Sequence, residues 1–155
     1  NLWENTDLVV SGYIRGQLID ALIMAILISI VLLILNIDYA IIIGIISGFA
    51  NLIPMIGSTV ATIIAVLVAL AGDTPIKALY AFIILLILQQ IDGNIIVPKV
   101  VGKNVNLHPL LVMLSLFIFG SLFGIIGMIV AVPITALLKH FIVQFINRRL
   151  EEKEI

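Results

Sequence analysis

Cysteine is absent from the 155 residues, and charge is scarce, with 11% of positions Asp, Glu, Lys or Arg. The first absence excludes disulfides, zinc–thiolate centres and cysteine nucleophiles. The second excludes an ordinary soluble domain, in which about a quarter of residues are charged. Enzyme signatures are missing too. The two histidines, His108 and His140, do not form an HExxH pair, and no P-loop occurs. Gly44-Ile45-Ile46-Ser47-Gly48 lacks the spacing of a serine-hydrolase elbow. Nothing flanking Asp20 or Asp92 supports an intramembrane aspartyl dyad. The expectation is a protein that is not an enzyme, has no cofactor or metal, and has no nucleic-acid partner. What remains is 63% hydrophobic, with a mean hydropathy of +1.32. That composition implies an all-α, polytopic transmembrane protein whose first partner is the lipid bilayer. The chain opens Asn-Leu-Trp-Glu, with neither an initiator Met nor a basic leader. Residue 1 is therefore expected to lie inside a longer protein.

Six apolar segments can be marked, at 18–35, 39–53, 58–71, 76–88, 107–123 and 125–138. A helix perpendicular to the bilayer needs about 20 residues to cross it. Segment 76–88 approaches that length only if its helix runs on through Gln89 and Gln90 and beyond. The pairs 39–53 with 58–71 and 107–123 with 125–138 are mostly short, and their joints are tight: NLIPMIG and GSLFGIIG. Each pair reads as a helical hairpin with a Gly- or Pro-bearing tip. Basic residues orient the chain. Arg15, Lys99, Lys103, Lys139, Arg148, Arg149 and Lys153 fall on one side, and only Lys77 falls on the other. The first side is taken as the cytoplasm, with the C-terminus there. Re-entrant hairpins would then make 18–71 and 76–139 two helix-plus-hairpin units of opposite orientation, a pattern of inverted-repeat transporters. Residues 18–139 form the expected transport domain. Residues 1–17 are a juxtamembrane connector, and 140–155 a cytoplasmic amphipathic helix.

Between two apolar runs lies QQIDGNIIVPKVVGKNVNLHP, residues 89–109. Ionised groups inside a membrane are expensive and face a cavity or a partner. Gly93 and Pro98 suggest an unwound stretch, exposing carbonyl oxygens beside Gln89, Gln90, Asp92 and Asn94. Two readings fit Asp92: a solvated helix cap, or an oxygen-rich site for a monovalent cation or a proton. Asp20 is expected near the cytoplasmic face, at the surface or paired with Arg15. Arg15 and Lys99 are interface or ion-pair residues. At the first hairpin tip Asn51, Pro54, Gly57, Ser58 and Thr59 either line a solute path or pack the tip. Gly120, Gly124, Gly127 and Pro133 suit close helix packing first and a hinge second.

The run Gly12-Tyr13-Ile14-Arg15-Gly16-Gln17, the tip NLIPMIG, the stretch QQIDGNIIVPKVVGK and the closing Gly124-Ile125-Ile126-Gly127 with Ala131-Val132-Pro133 resemble one family. It is the autoinducer-2 exporter-like permeases, also called the PerM or UPF0118 type, and the likeness is to their C-terminal membrane half. The resemblance implies transport of a small solute or ion across a bacterial or archaeal cytoplasmic (inner) membrane. Sodium(lithium)/proton antiport is the alternative within the family, and a non-transporting structural membrane subunit is the alternative outside it. It further implies a homo-oligomer, in pentameric form. The family's marked polar positions fall here on Arg15, Gln17, Asn51, Pro54, Gln90, Asp92, Asn94, Pro98 and Lys99.

Overall fold

The computed structural model describes residues 2–54, 56–101 and 107–153. Met55 of the first tip, and Lys103 with the rest of 102–106 in the polar interruption, lie outside the described residues. Every described secondary element is helical. In chain order they are α1 (Leu2–Ile34), α2 (Ala40–Ala50), α3 (Ile56–Ala71), α4 (Ile76–Ile91), a π-helical turn (Asp92–Ile96), α5 (Val97–Val100) and α6 (Pro109–Glu151). The polytopic, all-helical expectation holds. The chain divides into two compact units, one of residues 14–102 and one of residues 1–13 with 103–155, and α1 passes from the second into the first. Within the first of these units α4 packs against α3 of the first hairpin.

In the unit 14–102 the core is built from small residues at helical spacing. Ala61, Ala65 and Ala69 form one stripe of α3, and Ala78, Ala81, Leu85 and Leu88 face it from α4. Met24, Ile28 and Leu32 of α1 and Ile43 of α2 complete it. Within hydrocarbon, apolar burial gives little drive for helices to associate, so close van der Waals approach has to supply it. Gly44 and Gly48 of α2 show how. A Cβ on Gly44 would strike the Ser29 hydroxyl and lie 2.8 Å from the Ala25 carbonyl oxygen. A Cβ on Gly48 would lie 2.7 Å from the Ala25 Cβ. Two glycines four apart therefore seat α2 directly on the Ala21–Ala25–Ser29 ridge of α1. Gly16 does the same further down α1, where a Cβ would come within 2.7 Å of the Val100 carbonyl oxygen.

The helix from Ile76 does not unwind at Gly93. It runs continuously to Val100, 25 residues in all, and is long and apolar enough to cross a membrane. This corrects the broken-helix expectation for 89–98. The chain absorbs Pro98 by widening into the π-turn 92–96. Pro98 then stands in the first turn of α5, where its missing N–H costs least. Asp92 keeps right-handed helical angles, φ −57° and ψ −57°.

In the second unit α6 is bent at Gly124, whose φ of 68° and ψ of −144° suit only glycine. The limbs fold back on each other. A Cβ on Gly127 would meet the Phe119 carbonyl, and one on Gly120 would lie 2.7 Å from the Met128 side chain. Residues eight apart in a straight helix are about 12 Å apart along the axis, so these contacts require a turn. The expected hairpin with its tip in GSLFGIIG is present. His108 begins it as an N-cap, its ring Nδ1 accepting from the Leu110 amide at 3.2 Å. The distal limb runs unbroken through buried Pro133 to Glu151, so 140–151 continues this helix.

Candidate functional site

Asp20 occupies the buried face of α1, in helical register with Gln17, Met24 and Ile28, and is 0% exposed. It is therefore not the surface residue that was expected. Arg15 is itself exposed, and five helical residues place it about 140° around the axis from Asp20. Among the described residues no ion pair joins Arg15 to Asp20 or Asp92. Lys99 is likewise exposed.

The partner of Asp20 comes from the first hairpin tip. Asn51, at the C-terminal end of α2, donates its Nδ2 to Asp20 Oδ2 at 2.8 Å. Its backbone carbonyl accepts from Gln17 Nε2, also at 2.8 Å. A tip carbonyl freed at the end of a helix is thus satisfied by a side chain one turn from Asp20, as a dry setting requires. Asp92 enters from the start of the π-turn. It is 8% exposed, and its carboxyl group lies within hydrogen-bonding reach of Asp20 and beside Asn51. Two acids for which the flanking sequence supports no dyad are thus neighbours. Their adjacency follows from the glycine contacts, since Gly16, Gly44 and Gly48 draw α1, α2 and the 76–100 helix together around Asp20.

A second polar group lies nearby. Gln89 donates Nε2 to the Ser58 carbonyl at 2.9 Å and to the Thr62 hydroxyl at 2.7 Å, tying α4 to the first turns of α3. Gln90 and Asn94 are exposed and bond to each other, with Asn94 Nδ2 on the Gln90 carbonyl at 2.8 Å. They do not join Asn51 and Asp92. Pro54 is half-buried, and Gly57 is buried where a Cβ would strike the Ala50 carbonyl. Gly93 is exposed with open space around it. Sequence reasoning did not bring Asp20, Gln17 or Thr62 together with the first hairpin tip and the 76–100 helix, where their hydrogen bonds place them. For Asp20 a signal was present, because it shares a helical stripe with Gln17, Met24 and Ile28.

A polytopic helical protein with amide and carboxyl groups gathered where a hairpin tip meets two long apolar helices is built like a membrane transport protein. The chain matches the model of the AI-2E family transporters over residues 1–147 and belongs to that family. It is 41% identical over 146 residues to YueF of Bacillus subtilis (strain 168), which is named as a transport protein; the match covers 94% of this chain and 39% of YueF. YrrI of the same organism, also named as a transport protein, is 38% identical over 149 residues, covering 96% of this chain and 42% of YrrI. PerM of Escherichia coli (strain K12), named as a permease, is 35% identical over 144 residues, covering 91% of this chain and 40% of PerM. The chain thus spans about two-fifths of the length of these curated relatives.

Proposed function

We propose that the protein is a secondary transporter of the cytoplasmic membrane that moves a small polar solute along a path beside Asn51. The observation behind this is the buried cluster of Gln17, Asp20, Asn51 and Asp92 inside an otherwise apolar bundle. A passive bundle has no use for two buried acids, which destabilise it unless compensated. In the proposed path Asp20 and Asp92 compensate charge, while Asn51 and Gln17 offer amide groups to the solute. Ser58 and Gln89 stand beside it, and Gln90 with Asn94 would meet solute at its mouth. The limbs of the first hairpin, 11 and 16 residues, fall short of the roughly 20 needed to span. That supports a hairpin that enters and leaves on one side, and whose tip moves against α1. The cytoplasmic C-terminus rests on the clustering of basic residues. A homo-oligomer is in keeping with the many large apolar side chains exposed on α6.

The test is flux through the intact protein in proteoliposomes, with autoinducer-2 and sodium ion offered separately. One of them is expected to cross faster than in protein-free vesicles. Asn51→Ala should slow that flux by about tenfold, the factor corresponding to about 1.4 kcal/mol of lost stabilisation. If neither crosses, and a cysteine placed at Asn51 stays closed to aqueous thiol reagents, the protein is a structural subunit.

A further inference from the structure

Two carboxyl groups buried side by side have to be accounted for atom by atom. Asn51 Nδ2 satisfies Asp20 Oδ2 at 2.8 Å. Oδ1 of Asp20 and Oδ1 of Asp92 are both buried, and neither has a hydrogen-bond partner. The amide donors nearest on the packed helices are already committed. Gln17 Nε2 of α1 is held by the Asn51 carbonyl, and Gln89 Nε2 of α4 by Ser58 and Thr62. Among the described residues no Lys, Arg or His meets the pair, since Arg15 and Lys99 are exposed.

Ionised carboxylates only accept hydrogen bonds, so two of them cannot bond to each other. Facing one another in apolar surroundings, they also cannot both remain charged without a counter-charge. One proton answers both demands. It supplies the missing donor between the groups and halves their charge. Asn51 then stabilises the oxygen that stays negative, because a hydrogen bond to an ionised acceptor is the stronger kind.

We infer that Asp20 and Asp92 form a proton-binding site that holds one proton between their two carboxyl groups, with Asn51 as its neutral donor. The proton binds an oxygen lone pair on entry and leaves to water, so no redox partner is needed. Its departure sets two negative charges against each other beneath the hairpin tip. The tip is then held to α1 chiefly by Asn51 and Gln17. This deepens, and rests on, the transport function proposed above, since the proton is the charge that a cycle at this place would exchange.

Infrared difference spectra of the intact protein in lipid vesicles, with isotopically labelled aspartate, test it directly. The wild-type protein at neutral pH should show an aspartic-acid C=O band that disappears on alkaline titration. Asp20→Asn and Asp92→Asn, compared as folded particles, should each lose it. The wild-type spectrum alone can refute the site, so the test survives a variant that does not fold. Absence of the band overturns the inference, most directly if added sodium shifts the carboxylate stretches instead. Persistence of the band in either asparagine variant also overturns it, because the proton is then not shared. Solute flux without the band removes the proton site and leaves transport standing. The band without any flux does the reverse.

Discussion

Asn51 makes two hydrogen bonds in opposite senses, its side chain donating to Asp20 and its backbone carbonyl accepting from Gln17. Removing the amide leaves a buried carboxyl oxygen without its donor. An unsatisfied buried group costs about 1–3 kcal/mol, and more when it is charged. Asn51→Ala should therefore lower the thermal unfolding midpoint of the purified protein, while the backbone bond to Gln17 survives. An unchanged midpoint would mean that Asp20 does not depend on the tip. Much at this scale is legible in the sequence. Asn51 and Asp92 draw notice because they are polar residues in hydrocarbon-soluble chain. Their contact with Asp20 is not legible, because Asn51 and Asp92 lie 31 and 72 positions along the chain from Asp20 and meet it only through tertiary packing. Gln90 and Asn94 show the converse. They sit in the same polar run as Asp92, yet helical rotation turns them to another face.

At the scale of elements, glycine and proline have divided roles that composition alone does not distinguish. Gly44 and Gly48 matter for what they lack, a Cβ between α1 and α2. Gly48→Val should destabilise the protein by about 1–3 kcal/mol through overpacking, read as a lower unfolding midpoint. Gly93→Ala should leave the midpoint unchanged or raise it, since a Cβ there meets nothing within 4 Å and alanine favours helix. Equal midpoints for the two variants would contradict the close α1–α2 contact. Hairpin positions are readable from the spacing of Gly and Pro, down to the bend at Gly124. The fate of the 89–98 stretch is not. Gly93 and Pro98 are ordinary helix breakers, but the π-turn accommodates them and the helix runs to Val100. Such turns recur at functional sites in helices, and here Asp92 opens one.

For the whole molecule, the distribution of charge is the informative property. The chain has no cysteine of its own, so a single introduced thiol reports sidedness cleanly. Asp73→Cys should react with a membrane-impermeant reagent added outside intact cells, and Arg148→Cys only after the cytoplasmic face is opened. Both positions are exposed, so reaction of both from one side would overturn the orientation. Apolar periodicity, helix-breaking residues and the sidedness of lysine and arginine are local properties, legible along the chain. They were enough to determine a helical membrane protein, its two hairpins and its family motifs. Tertiary structure decided the pairing of Asp20 with Asp92 under Asn51. The reason is physical: glycine contacts between distant helices set which faces meet, and no single segment contains that information.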